Sequence, residues 1–238
     1  MAYDTKKLDY NSFTQSIIDL VRENWFRVVS IDLETKILEG DDFLTGERLL
    51  GIGVSRRVGY KIESEIFTLK DDSDEAEIEL MNEAAKYMNV VKPLVLLGYN
   101  ISGYDFPLLN LKLKWYDDYN KKLGKVNAFP KEYWALKDAC TRAYILDLMH
   151  PLRFAIAEHD KAPAKYKSLQ SAVNHEMFRH LDLMRVKELA QGTTSADKGR
   201  TIYELWKSKN PNFQKYLEGD VHDVLVLAEE IFGIKTNP

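Results

Sequence analysis

Several residue types and motifs that mark particular protein classes are scarce or missing in this chain of 238 residues. Cys140 is the only cysteine, which excludes an intrachain disulfide and any zinc site built on cysteine pairs. No apolar run approaches the roughly 18 residues of a membrane-spanning helix, and the N-terminus lacks the apolar core of a secretory signal. The Gly-rich phosphate loop, the His-Glu-x-x-His helix and the Gly-x-Ser-x-Gly elbow are also missing. These absences predict an intracellular protein, cytoplasmic or nucleoid-associated, without membrane contact.

The composition is that of a globular domain, with 45% hydrophobic and 29% charged residues and a net charge of −4. The charge is unevenly distributed. Between Asp32 and Glu83 there are 15 acids and 6 bases, whereas between Lys161 and Lys215 there are 11 bases and 5 acids. An acidic part that collects metal ions beside a basic part that holds phosphates would give this distribution, and so would two ordinary solvated surfaces.

Hydrophobic periodicity predicts strands first, then alternating strands and helices, then helices alone. The predicted strands are 25–35, 49–54, 62–69, 94–97 and 144–148; the predicted helices are 13–21, 74–88, one from 105, 168–178, 201–207 and 212–232. This order indicates an α/β fold with a central mixed sheet flanked by helices. We expect a single domain over 1–238, with an N-terminal helix extension at 1–24 and a polar surface insertion at 114–138.

The first candidate motif is Asp-x-Glu at Asp32 and Glu34, near the end of the first predicted strand. Residues i and i+2 of a strand point to the same face, so the two carboxylates project side by side. Two like charges this close repel unless a cation lies between them, and Mg²⁺ and Mn²⁺ prefer such oxygen ligands. The alternative is a pair of solvated carboxylates at a strand end.

The second motif runs from Gly98 to Asp105 and joins a buried strand to a helix. It places Asp105 where the carboxyl edge of the sheet meets a helix N-terminus, the edge at which ligands bind in open α/β sheets. Asp is also a common N-cap, so a purely structural role is an alternative. Asp147, at the end of the last predicted strand, is either a fifth acid near the site or a structural residue.

The third motif is Tyr-x-x-x-Asp at Tyr216 and Asp220, in the last predicted helix. The two residues lie one turn apart on the same helix face and border the apolar face. Gly219 lowers helix stability by about 1 kcal/mol relative to Ala, which indicates that another part of the protein approaches the backbone closely there. A tyrosine packed beside an exposed acid is the alternative.

Taken together, Asp-x-Glu, Asn-x-x-x-Tyr-Asp and Tyr-x-x-x-Asp resemble the motifs of the DEDD superfamily of 3′–5′ exonucleases. The resemblance is greatest to the proofreading domain of family-B DNA polymerases and extends over about residues 25–232. Tyr216 corresponds to the tyrosine-bearing subclass, since the histidine subclass would carry His at Lys215. Tyr104 stands where many relatives have Phe. No polymerase palm or fingers follow Phe232, so we expect a free-standing or excised domain.

The resemblance implies an RNase H-like fold and two divalent metal ions, Mg²⁺ or Mn²⁺, flanking the scissile phosphate. In this scheme Asp32 bridges both ions, Glu34 and Asp220 complete the tighter site, and Asp105 serves the looser one. Tyr216 orients the attacking water. The terminal nucleotide is held by the backbone around Leu33 and by the side chains of Asn100 and Tyr104.

We therefore expect a metal-dependent 3′–5′ exonuclease that releases nucleoside monophosphates from a single-stranded or frayed DNA 3′ end. Two alternatives are an RNA 3′-end trimming exoribonuclease of the same superfamily and a catalytically silent module that binds nucleic acid. Lys165, Lys167 and Ser168, beside Tyr166, are suited to base stacking and backbone contact on a single strand, although a solvated helix start has the same composition. The sequence identifies no protein partner.

Overall fold

The computed structural model of this chain describes residues 10–37, 46–125, 131–163, 168–189 and 195–234. The strands within these ranges are β1 (Val28–Ile37), β2 (Glu47–Val58), β3 (Lys61–Thr68), β4 (Val95–Gly98) and β5 (Tyr144–Asp147). The α-helices are α1 (Tyr10–Glu23), α2 (Asp74–Val91), α3 (Asp105–Lys122), α4 (Lys131–Arg142), α5 (Met149–Asp160), α6 (Leu169–Val173), α7 (Ser195–Lys207) and α8 (Asn212–Ile231). Short 3-10 turns cover Trp25–Arg27, Glu176–Phe178 and Val186–Leu189.

The described strands form one mixed sheet in the order β3-β2-β1-β4-β5. β2 pairs antiparallel with both β1 and β3, whereas β4 pairs parallel with both β1 and β5. The β2–β3 hairpin turns at Gly59, whose φ of 59° is a conformation that glycine adopts at no steric cost. The predicted α/β fold with a central mixed sheet is thus confirmed, and the arrangement is that of the RNase H-like fold.

The central strand β1 is buried over its first four residues. Val28 and Val29 are fully buried, and their β-branched side chains favour extended backbone. β1 begins three residues later than predicted because Trp25–Arg27 form a 3-10 turn. Its parallel pairing with β4 ends at Ser30, so the following residues of β1 extend beyond that neighbour.

Helices lie against both faces of the sheet. Ile31 and Leu33 project from one face of β1 and belong to an apolar cluster that includes residues of α2, α3 and α4. On the opposite face, Leu217 of α8 packs over Gly51 and Gly53 of β2. Among the described residues, no helix is both long and apolar enough to cross a bilayer.

The segment 114–138 differs from the polar surface insertion that the sequence predicts. Most of its described residues belong to α3 and α4, and Tyr116, Tyr133 and Leu136 are buried. The rings of Tyr116 and Tyr133 meet edge to face with their centroids 5.1 Å apart. These side chains therefore contribute to the core, while Lys and Asp side chains of the same helices cover the outside. The boundaries of the single domain and of its N-terminal extension remain predictions.

Candidate active site

Three of the four predicted metal-binding acids converge at one point of the sheet. Asp32 and Glu34 project from the same face of β1, and Asp220 reaches them from α8. One carboxylate oxygen from each lies within 4.8 Å of the others. Asp220 is buried, whereas Asp32 and Glu34 are half-buried. The cluster therefore lies at the edge of the core and is open to solvent on one side.

Two glycines of β2 allow α8 to approach so closely. Gly53 lies opposite Asp32 and Gly51 lies opposite Glu34 in the antiparallel pair, so all four share one face of the sheet. A Cβ atom at Gly51 would lie 2.6 Å from Leu217 Cδ1, and one at Gly53 would lie 3.2 Å from the Leu217 backbone oxygen. A Cβ atom does not fit at Gly51 and fits poorly at Gly53, so the two glycines permit the close approach of α8 to β2 at the positions opposite Asp32 and Glu34.

The third motif behaves as its spacing predicts, with Tyr216 and Asp220 on the same side of α8 and both buried. The close approach that Gly219 indicates is also confirmed. A Cβ atom at Gly219 would lie 1.9 Å from Val186 Cγ2, in the 3-10 turn that packs against α8. α8 is thus fitted tightly between this turn and β2.

Asp105, the fourth predicted acid, contacts β1 between Asp32 and Glu34. α3 begins at Asp105, where the sequence predicts this helix, but Tyr104 rather than Asp105 is its N-cap. The Asp105 carboxylate does not cap its own helix, because it accepts a 3.0 Å hydrogen bond from the backbone N–H of Leu33. Leu33 lies between Asp32 and Glu34, so Asp105 is fixed beside the other acids although it is outside the three-carboxylate cluster.

A cavity of about 370 Å³ opens beside the third motif and contains Asn100 and Tyr216. Its remaining lining residues are Tyr99, Met149, Ser168, Leu169, Gln170 and Lys198. Lys198 Nζ donates a 3.3 Å hydrogen bond to Gln170 Oε1. The lining thus includes amide, phenol and ammonium groups, and one of its phenols, Tyr216, is one helical turn from Asp220. Lys165, Tyr166 and Lys167, which the sequence suggests as a nucleic-acid patch, lie outside the described residues.

The sequence allows two roles for Asp147, and its contacts are those of a structural residue. Its carboxylate accepts hydrogen bonds from the backbone N–H groups of Asn100 at 2.9 Å, Ser102 at 3.1 Å and Met149 at 3.0 Å. Asn100 has a φ of 63°, a left-handed conformation that asparagine tolerates better than most residues. Asp147 therefore holds the loop that presents Asn100 to the cavity.

Two of the three predicted nucleotide contacts are already committed to neighbouring groups. The Leu33 side chain is buried and its N–H binds Asp105, which leaves less of this residue available to a nucleotide. The Tyr104 hydroxyl donates to the carboxylate of Glu47 and lies 2.7 Å from the hydroxyl of Thr35. Burial, followed by the hydrogen bond to Glu47, raises the pKa of Tyr104 well above its ordinary value. Sequence reasoning missed Glu47, because no motif contains it.

A second group of metal-binding residue types consists of His159, Asp160 and His175. His175 Nδ1 accepts a hydrogen bond from the backbone N–H of Met177 at 3.3 Å, so the neutral ring carries its proton on Nε2 and donates it towards Asp160. A ligating histidine ordinarily donates from its other nitrogen, and His175 cannot. The hydrogen bond from His159, with that from His175, lowers the pKa of Asp160. The group is therefore better described as a hydrogen-bonded cluster, with His175 buried and its two neighbours exposed.

Comparison with known proteins supports the motif-based resemblance. The family model for the exonuclease domain of family B DNA polymerases matches residues 7–145. A solved structure, the family B DNA polymerase of the hyperthermophilic archaeon Pyrobaculum calidifontis, matches with 20% sequence identity and a TM-score of 0.54. The match covers 86% of this chain but 24% of the archaeal chain, and it shows a shared fold. No curated protein matches significantly.

Proposed function

Because this chain belongs to the family of exonuclease domains of family B DNA polymerases, we propose that it shortens DNA from the 3′ end in a metal-dependent reaction. The proposed substrate is a single-stranded or frayed 3′ end, and the products are nucleoside monophosphates. Family membership implies 3′–5′ exonuclease activity. The observation that carries the proposal for this chain is the convergence of Asp32, Glu34 and Asp220 within 4.8 Å.

The donor set of the cluster fits Mg²⁺ or Mn²⁺. Three carboxylates in so small a volume repel one another, and hard divalent cations with oxygen ligands offset this repulsion. Asp32, Glu34 and Asp220 would hold one ion, and Asp32 with Asp105 would hold a second. When bound, such ions supply an activated water nucleophile and stabilise charge on the leaving oxygen.

The remaining residues of the site position the substrate and the water. The Tyr216 hydroxyl, one helical turn before Asp220, would orient the attacking water by a hydrogen bond. The cavity beside it would receive the terminal nucleotide, with the Asn100 amide as a hydrogen-bonding group and Lys198 as a counter-charge for phosphate. The ring of Tyr104 offers a surface on which a base can stack.

The test is digestion of a single-stranded DNA oligonucleotide labelled at its 5′ end, in Mg²⁺, in Mn²⁺ and in EDTA. The proposal predicts a ladder that shortens from the 3′ end in either metal, and protection of an oligonucleotide that ends in a 3′ phosphate. Cleavage of circular single-stranded DNA would instead identify an endonuclease. Preferential digestion of a matched RNA would favour the RNA-trimming alternative, and binding without digestion would favour a silent module.

Asp220→Asn tests whether the digestion arises from this site. We expect it to abolish the ladder. Glu218→Gln is the matched control, because it removes one negative charge two residues away on the same helix, about 200° around its axis. An equal loss of digestion in both variants would show that the reaction depends on the integrity of the helix rather than on the Asp220 carboxylate.

A further inference from the structure

Glu47 is a buried carboxylate beside the site with no role in the proposed reaction. It is the first residue of β2, it pairs with Ile37 of β1, and its relative exposure is 1%. Its carboxylate accepts hydrogen bonds from the hydroxyls of Thr35 and Tyr104. Those two hydroxyls are themselves 2.7 Å apart. We refer to Thr35, Glu47 and Tyr104 as the hydroxyl–carboxylate triad.

The triad joins two segments that are distant in sequence and that both carry metal-binding acids. Thr35 directly follows Glu34 at the end of the first motif, and Tyr104 directly precedes Asp105 in the second. The bond from the Leu33 N–H to Asp105 makes a second link between the same segments. Two links on the two sides of Glu34 leave little freedom in its position relative to Asp105.

The chemistry of the triad favours a fixed arrangement. Both hydroxyl protons are directed to one carboxylate oxygen, and hydrogen bonds to a charged acceptor are stronger than those between neutral groups. Removal of either donor leaves the buried carboxylate with one hydrogen bond fewer. This raises the free energy of the folded state, and we expect the neighbouring residues to shift in response.

We propose that Glu47 is a positioning residue, which through Thr35 and Tyr104 sets the distance between Glu34 and Asp105. This inference rests on the proposed function. Residues that orient metal ligands without touching the metal generally affect its binding, and loss of one lowers metal affinity or activity by about 10–100-fold. We expect the triad to have the same effect.

Tyr104→Phe and Thr35→Val test the proposal, because each deletes one hydroxyl while it keeps the side-chain shape and the charge of Glu47. The first readout is Mn²⁺ binding to the protein without DNA, followed by electron paramagnetic resonance of the free ion. We expect each variant to bind Mn²⁺ about tenfold more weakly. We also expect kcat to fall while KM for DNA changes little, since the Tyr104 ring is retained in one variant and untouched in the other.

Tyr119→Phe is the matched control. Tyr119 donates a 2.6 Å hydrogen bond to the carboxylate of Glu75, so this variant removes the same kind of contact. It lies on α3, 14 residues beyond Asp105 and about 21 Å along the helix axis. We expect wild-type Mn²⁺ affinity and turnover.

Wild-type Mn²⁺ affinity in either triad variant overturns the proposal, even if the wild-type protein is an active exonuclease. Loss of folding in both variants, seen as loss of the cooperative melting transition, would make the triad a purely structural element and also overturns it. A wild-type protein that neither binds Mn²⁺ nor digests DNA would contradict the proposed function itself, and with it this inference. Weakened Mn²⁺ binding in both folded variants, with an unchanged control, supports it.

Discussion

The backbone N–H of Leu33 and Oδ1 of Asp105 are joined by a 3.0 Å hydrogen bond between residues 72 positions apart. The bond occurs where β1 extends beyond β4 and its backbone lacks that neighbouring strand. One oxygen of Asp105 is thereby committed to the fold. Under the proposed function, the other oxygen would serve the looser metal site that the resemblance implies for this residue.

Two substitutions of Asp105 separate these tasks. Asp105→Asn keeps an oxygen for the Leu33 N–H but removes the charge, so we expect low activity with a nearly unchanged melting temperature. Asp105→Ala leaves a buried N–H without its partner, at a cost of about 1–3 kcal/mol, and we expect both activity and melting temperature to fall. Equal melting temperatures for the two variants would show that the bond contributes nothing to stability.

Tyr216→Phe keeps the ring and its packing but deletes the hydroxyl that is proposed to orient water. Groups of this kind contribute about 10²–10⁴-fold to rate. We expect slower turnover with nearly unchanged metal and DNA binding, whereas Asp220→Ala should also weaken metal binding. Full activity of Tyr216→Phe at saturating metal would show that Tyr216 is only a packing residue. The control is the melting temperature, since a displaced α8 would also lower activity.

Gly219→Ala tests the tight fit of α8 against the turn at Val186. The added Cβ would lie 1.9 Å from Val186 Cγ2, an overlap that must displace α8 or the turn. We expect a loss of about 1–3 kcal/mol in the free energy of unfolding and a loss of activity, because Asp220 follows directly. Val186→Ala in the same chain should restore part of both.

Gly199→Ala is the control for this substitution. Gly199 is also helical, but a Cβ there meets no atom within 4 Å among the described residues. We expect stability to increase by up to about 1 kcal/mol, since Ala favours helix over Gly. If both glycines respond alike, the contact with Val186 has no special role.

Asp147→Ala tests whether the loop at Asn100 serves substrate binding. The substitution removes the acceptor of three backbone N–H groups, including that of Asn100. We expect KM for DNA to increase by more than kcat decreases, with Mn²⁺ affinity near that of the wild-type protein. A loss of Mn²⁺ affinity comparable to that of Asp220→Ala would instead place Asp147 among the metal ligands.

The sequence predicted those parts of the fold that depend on local patterns. The β-branched run of β1 and the i, i+2 spacing of Asp32 and Glu34 are local, and the i, i+4 spacing of Tyr216 and Asp220 is as well. Each was found where the pattern predicted it. Asp105 is not the N-cap that its residue type suggests, and the cause is tertiary, because its carboxylate accepts a hydrogen bond from the Leu33 N–H instead of capping its own helix.

The missed features depend on contacts between segments distant in sequence. Gly51 and Gly53 gain their importance from the register of β2 with β1 and from Leu217 above them. Glu47 gains its importance from Tyr104, which lies 57 residues away. The burial of Tyr116 was missed because the charged residues of its helix hide the apolar positions that face α4. No spacing rule within one segment reports such contacts.

Metal-dependent digestion at this site is tested most directly by the rate of 3′-end digestion in a Mg²⁺ titration of metal-free protein, for the wild-type chain and for Asp32→Ala. If Asp32 holds the metal ions, we expect no digestion in EDTA, recovery as Mg²⁺ is added, and a rate several orders of magnitude lower for Asp32→Ala at every Mg²⁺ concentration, although that variant melts like the wild-type protein. Undiminished digestion in EDTA, or wild-type rates for Asp32→Ala, would contradict this expectation.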